Sequence, residues 1–121
     1  MQVELNYGRT GLHVELPDGV QLTVLRKPPM PALPDPVAAV RHALARPVDA
    51  PPLAELARGK SSAAIAICDI TRPVPNRLFL RPMIETLMGA GIPAERITVL
   101  VATGLHRPNL GAELEELVGD P

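Results

Sequence analysis

Residues 61–76 read SSAAIAICDITRPVPN. Within them SAAIAIC, at 62–68, is a continuous apolar run of strand length, the pattern of a strand buried on both faces. An acid, a hydroxyl and a guanidinium then follow at once: Asp69, Thr71 and Arg72. Pro73 and Pro75 stiffen the same junction. Beyond it, Leu78, Leu80, Met83, Ile84, Leu87 and Met88 recur at helical spacing, which predicts a helix over 77–90. Pro82 is a site for a kink or a delayed start, and Gly89 and Gly91 end the helix. RITVLVAT, at 96–103, reads as a second buried strand, and GLHRPNLG leads from it into a last helix, AELEELV.

The order is strand, turn, helix, strand, turn, helix. The link between the two apolar runs is long enough for a right-handed crossover, so the runs are expected to pair in parallel. In such sheets ligands sit beyond the carboxyl ends of the strands. Both polar turns, 69–76 and 102–109, fall at those ends and can face one cleft.

Upstream, QVELNY (2–7), LHVEL (12–16) and VQLTVLR (20–26) alternate at strand spacing, with GRTG and PDG between them. They predict an antiparallel meander. Asp35-Pro36 reads as a helix N-cap followed by proline at the first helical position, with Val37, Val40 and Leu44 on one face. LAELARG, at 53–59, is a short second helix ending at Gly59. The expected fold class is α/β: an N-terminal antiparallel β-meander followed by a Rossmann-like parallel β-α-β-α unit. The expected organisation is a single domain over 1–121, with the meander in 1–27, a proline-rich helical connector in 28–60 and the β-α-β-α unit in 61–121.

The bulk numbers narrow the function. The chain has 121 residues, 46% of them apolar but only 2% aromatic, so its core must be aliphatic. Net charge is −1. There is no basic field for a phosphate backbone and no aromatic platform for bases, so nucleic acid is not an expected partner. No apolar run approaches the roughly 20 residues of a spanning helix, so no membrane is expected. The single cysteine, Cys68, excludes an internal disulfide, fits a cytoplasmic location, and reads as a small packed residue at a strand end.

Asp69 has two readings, a helix cap or Asx-turn and a ligand for another polar group such as Arg72. Thr71 and Arg72 likewise either solvate the turn or face a ligand. Arg72, held between Thr71 and Pro73, offers a planar fork suited to a carboxylate or phosphate. His106 is either a surface loop histidine or a general acid/base. Gly104 lets the backbone turn tightly before it, and Pro108 and Asn109 restrain the loop and cap the last helix. His13 and His42 lack this setting and read as solvated. The chain carries no P-loop, no dinucleotide-type glycine fingerprint, no nucleophile elbow and no zincin motif.

DITRPVPN at 69–76 and ATGLHRP at 102–108, with the leader LNYGRTGLHVELP at 5–17, resemble the nickel-pincer lactate racemase family of 2-hydroxyacid racemases and epimerases. The resemblance runs over nearly the whole chain in the same order. It implies two α/β domains with an active site between them, and a hydride that leaves the substrate Cα and returns on the other face. It implies the cofactor nickel pyridinium-3,5-bisthiocarboxylic acid mononucleotide, bonded to a lysine, with a histidine on the metal. By position His106 matches an acid/base histidine, while Asp69, Thr71, Arg72 and Gly104 match the loops that meet cofactor and substrate. Ile70 stands where many members carry a polar or basic residue.

The family's cofactor lysine, its nickel histidine and its second acid/base histidine match nothing here, and Lys27 and Lys60 sit at no matching motif. The expectation is an N-terminal piece of a larger isomerase, inactive alone and binding no cofactor. Its expected partners are a small 2-hydroxyacid, the missing C-terminal domain, and other copies of itself through the exposed cleft face. The alternative is a stand-alone ligand-binding or interaction module that keeps the Asp–Arg–His cleft without the chemistry.

Overall fold

The computed structural model describes residues 1–119 and falls into two compact units, Met1–Pro31 and the chain from Ala32 onward. The second unit is built on the two apolar runs. They form strands β3 (Ala63–Cys68) and β4 (Ile97–Ala102), which pair in parallel from Ala63↔Ile97 to Cys68↔Ala102. Helix α3 (Asn76–Gly89) makes the crossover between them, followed by one short turn of 3₁₀ helix at Ala94–Arg96. Helix α4 (Ala112–Val118) follows β4. The predicted β-α-β-α unit is therefore present, with its strands adjacent.

Burial along the strands corrects the two-faced expectation. Ile65 and Ile67 are buried, but their neighbours Ala64, Ala66 and Cys68 are exposed. On β4, Ile97, Val99 and Val101 are half-buried and Leu100 is 56% exposed. Only one sheet face packs on helices among the described residues. A two-stranded sheet alternates sides like any other, and apolar residues alone do not report whether a second layer covers the far face. Cys68 lies on the open side, so it is an exposed thiol rather than a packed one.

The core joins that inner face to the helices: Ala57, Ile65, Ile67, Leu80, Leu87, Ile92 and Leu117. Leu80 and Leu87 are the buried apolar residues of α3, with Phe79, Met83 and Ile84 packed partly against them, while Met88 is 47% exposed. Pro82 neither starts nor ends α3. It is buried within the helix, and its carbonyl accepts from the Thr86 hydroxyl at 2.7 Å. The helix closes on a reciprocal turn: Ile92 N–H donates to Leu87 O at 3.2 Å and Gly91 N–H to Met88 O at 2.9 Å, with Gly91 at φ 103°. The glycine supplies the left-handed conformation, and Ile92, 2% exposed, joins Leu87 in the core.

Helix α1 (Pro36–Ala45) begins as predicted. Asp35 caps it by accepting from Ala38 N–H at 2.9 Å, with proline at its first position. Helix α2 (Leu53–Ala57) is short, and both helices contact α3. In the first unit, β1 (Gln2–Leu5) and β2 (Leu12–Glu15) form an antiparallel hairpin with Val3 opposite Val14. The third meander strand does not form. Residues 20–26 are unpaired, and Val20, Leu22 and Val24 are 40–52% exposed. Alternation shows that a segment suits a strand, but a strand also needs a partner ladder.

Candidate functional site

The loop after β3 is folded into tight turns for reasons written in its sequence. Val74 N–H donates to Arg72 O at 2.8 Å, and Asn76 N–H to Val74 O at 2.9 Å. These are successive three-residue turns centred on Pro73 and Pro75, and Pro75 sits at φ −81°, ψ 62°, where an inverse γ-turn places its central residue. The proline ring holds φ near the required value. At the far end Asn76, 1% exposed, donates to Leu117 O at 3.0 Å and ties the start of α3 to α4. No side chain caps α3, so neither Asp69 nor Thr71 serves as its N-cap.

Asp69 instead does two other things. Its Oδ1 accepts from the Thr71 hydroxyl at 2.7 Å and from Thr71 N–H at 3.3 Å, an Asx-turn. Its Oδ2 bonds the Nδ1 of His106, from the loop after β4. Asp69 is buried, whereas the His106 side chain is 53% exposed. The Thr71 hydroxyl, and then His106, hold the Asp69 carboxyl below its ordinary range against the opposing effect of desolvation. An ionised carboxylate only accepts hydrogen bonds. His106 therefore donates from Nδ1, and in the neutral ring Nε2 keeps its lone pair.

The loop after β4 is as tightly formed. Gly104, at φ 58°, makes the turn, and His106 N–H donates to Thr103 O at 3.0 Å. Arg107 grips Glu113 with two hydrogen bonds of 2.6 Å each. Asn109, buried, donates to Glu113 Oε2 at 3.2 Å and accepts from Ile70 N–H, also at 3.2 Å. Asn109 does not cap α4, whose N-cap is Gly111 with no side-chain bond. Arg107 first, then Asn109, hold the Glu113 carboxyl down to about 2. Neither Glu113 nor the bridging role of Asn109 was foreseen from the sequence. The Asn109–Glu113 spacing of four was a local clue, but the bond to Ile70 was not.

The two loops enclose a cleft of about 370 Å³ at the carboxyl ends of β3 and β4. Asp69, Arg72, Gly104 and His106 line it, together with Cys68 and Thr103. Thr71 stands outside the lining and supports Asp69. Asp69 does not hold Arg72, as the sequence allowed. The Arg72 guanidinium makes no ion pair among the described residues, so it is available to an anion in the cleft. His13 and His42 are exposed and distant in the chain from both loops. A larger hollow of about 530 Å³ runs along α3 beside Val99 and Val118 and shares no residue with the cleft. Ile70 packs against the core. Among the described residues no cluster of three or more histidine, cysteine or acidic side chains is placed to hold a metal. No helix there is long and apolar enough to cross a membrane.

A buried carboxylate holding a loop histidine, beside an arginine with no ion pair among the described residues, can move a proton and bind an anion. Residues 7–121 match the model of the lactate racemase N-terminal domain. Lactate racemase of Lactiplantibacillus plantarum is 40% identical over 81 residues, which cover 67% of this chain and 19% of that protein. Lactate racemase of Thermoanaerobacterium thermosaccharolyticum is 32% identical over 117 residues, covering 95% of this chain and 26% of that protein. The solved structure of the lactate racemase apoprotein from the latter organism superposes with a TM-score of 0.73 at 29% identity, over 99% of this chain and 27% of that one. The chain thus spans about a quarter or less of the relatives it matches, and it belongs to the lactate racemase N-terminal domain family.

Proposed function

We propose that this chain is the N-terminal part of a 2-hydroxyacid racemase or epimerase and that its cleft supplies an acid/base histidine and a carboxylate-binding arginine. The observation that carries the reading is the bond between His106 Nδ1 and the buried Asp69 carboxylate. It fixes the ring tautomer and leaves Nε2 free as a base.

In this reading His106 Nε2 takes the proton of the substrate's 2-hydroxyl and later returns it to the same oxygen. Asp69 stabilises the imidazolium formed in between and keeps the ring from rotating. Arg72 grips the substrate carboxylate through its planar fork. Thr71 and Gly104 hold the two loops in the shapes that present these groups.

The resemblance assigns the hydride to a nickel pincer group bonded to a lysine. The residues present do not fit that role. Lys60 borders a different hollow, under α2, and Lys27 belongs to the other unit, so the cleft lining contains no amine. The cleft's own side chains perform proton transfer and carboxylate binding only. On this reading a second domain of the same enzyme completes the site, and the isolated chain neither retains nickel nor racemises lactate.

The test compares two proteins, each purified with the family's maturation machinery: this chain alone, and this chain joined to a complete C-terminal portion. The joined protein should interconvert D- and L-lactate or another 2-hydroxyacid, and the chain alone should not. Turnover or chelator-resistant nickel in the chain alone would refute the division of labour.

A further inference from the structure

We propose that Asn109 is a positioning residue: it clamps the loop after β4 to the loop after β3 and thereby holds His106 in register with Asp69. The proposal rests on the acid/base reading for its consequence, but its geometry stands apart from any turnover.

Asn109 is 8% exposed, and both ends of its amide are used. Its Oδ1 accepts from Ile70 N–H, one residue after Asp69, across 39 positions of chain. Its Nδ2 donates to Glu113 on α4, the carboxylate that also takes both arms of Arg107. His106 thus precedes two residues, Arg107 and Asn109, that are anchored to the same glutamate. Asp69 precedes a residue whose N–H is anchored to Asn109. The bond between His106 and Asp69 is one rung between the two loops, and the bond between Asn109 and Ile70 is the other.

Two rungs matter because His106 is itself half exposed. A lone hydrogen bond to a half-exposed ring competes with water and contributes little order. The second rung is made by a side chain only 8% exposed, against 53% for His106, so water competes with it less. It fixes the spacing of the two backbones before the imidazole makes its own bond. The polarity is also set: Ile70 offers only a donor, Glu113 only an acceptor, and an amide is the side chain that answers both.

The clamp is read by NMR of the intact chain with isotope-labelled histidine, because the ring nitrogen shifts report which nitrogen carries the proton. In the native chain His106 should be held as the Nδ1–H form. In Asn109→Ala the ratio of Nδ1–H to Nε2–H should fall by about tenfold, on the scale of one hydrogen bond to a charged group, with circular dichroism unchanged. Asn109→Asp keeps the acceptor for Ile70 but faces the Glu113 carboxylate, so it should lose the signature as well. The double variant Asn109→Asp, Glu113→Gln exchanges donor and acceptor between these two positions at the cost of the Arg107 Nη1 bond, and should move the ratio back toward the native value.

A residue that only adds stability would lower the melting temperature without moving the tautomer ratio. A folded Asn109→Ala that keeps the native ratio overturns the clamp. Should Asn109→Ala not fold, the single and double Asp variants decide: equal ratios in the two overturn it. No arm depends on activity, so failure of the clamp leaves the acid/base reading standing, and an inactive enzyme leaves the clamp standing.

Discussion

His106 and Asp69 stand at the carboxyl ends of neighbouring parallel strands, and the carboxylate accepts from the Nδ1 of the imidazole. Cys68 pairs with Ala102 at the last rung of the ladder, so each loop leaves the sheet at the same height. The pairing of the two side chains follows from that register.

Replacing Asp69 should separate tautomer from fold. In Asp69→Asn the side chain offers an amide in place of a carboxylate, and His106 should no longer be held as its Nδ1–H form. In the full-length enzyme kcat should fall by roughly 10²–10⁴-fold, the scale of a disabled acid/base group. Kinetics with circular dichroism as a control check this. A folded Asp69→Asn enzyme with near-native kcat would contradict it.

Arg72 lines the cleft without an ion-pair partner among the described residues. Arg72→Lys keeps the charge but not the two-pronged geometry. The expected result in the full-length enzyme is a KM raised more than kcat is lowered, because binding of the substrate carboxylate is lost in ground and transition state alike. Equal KM values for the two enzymes would remove Arg72 from the binding role.

Glu113 gives a pH signature. Its carboxyl is held at about 2 in the folded chain against an ordinary 4.5. A carboxyl depressed on folding contributes stability that is full above its unfolded value and is lost as pH falls through its folded value. The melting-temperature gap between the native chain and Glu113→Gln should therefore be full above about pH 4.5 and close as pH approaches about 2. Thermal melts across that range measure it. A gap independent of pH would show that the Arg107 pair contributes nothing through charge.

The end of α3 tests the fold itself. Gly91 adopts φ 103°, with open space where a side chain would project. Gly91→Ala should cost about 1–2 kcal/mol from backbone strain alone. Ile67→Ala, at a position 4% exposed between sheet and helices, should cost about 2–5 kcal/mol through lost contacts and a cavity. Chemical denaturation gives both values. An Ile67→Ala chain as stable as the native one would place that residue outside the core.

Much of this architecture was legible because it is periodic. The runs at 62–68 and 97–102, the helical spacing between them and the Asp35-Pro36 start all report local geometry, and each element formed within a residue or two of its predicted place. The segment 20–26 misled because alternation measures strand preference without revealing a partner. Ala64, Ala66 and Leu100 misled because apolar identity does not reveal which sheet face is covered. At the cleft, Asp69, Arg72, Gly104 and His106 were found by their position after strands. The bonds Asp69–His106 and Asn109–Ile70 span 37 and 39 residues. Such pairings depend on strand register, which no local pattern contains.

The central claim is that His106 moves the substrate's hydroxyl proton, and steady-state kinetics of His106→Ala beside His42→Ala in the full-length enzyme test it most directly. The account predicts a kcat lowered by roughly 10²–10⁴-fold for His106→Ala, little change for His42→Ala, and native circular dichroism for both. A folded His106→Ala enzyme with near-native kcat would contradict it and leave TGLHRP a turn without a catalytic role.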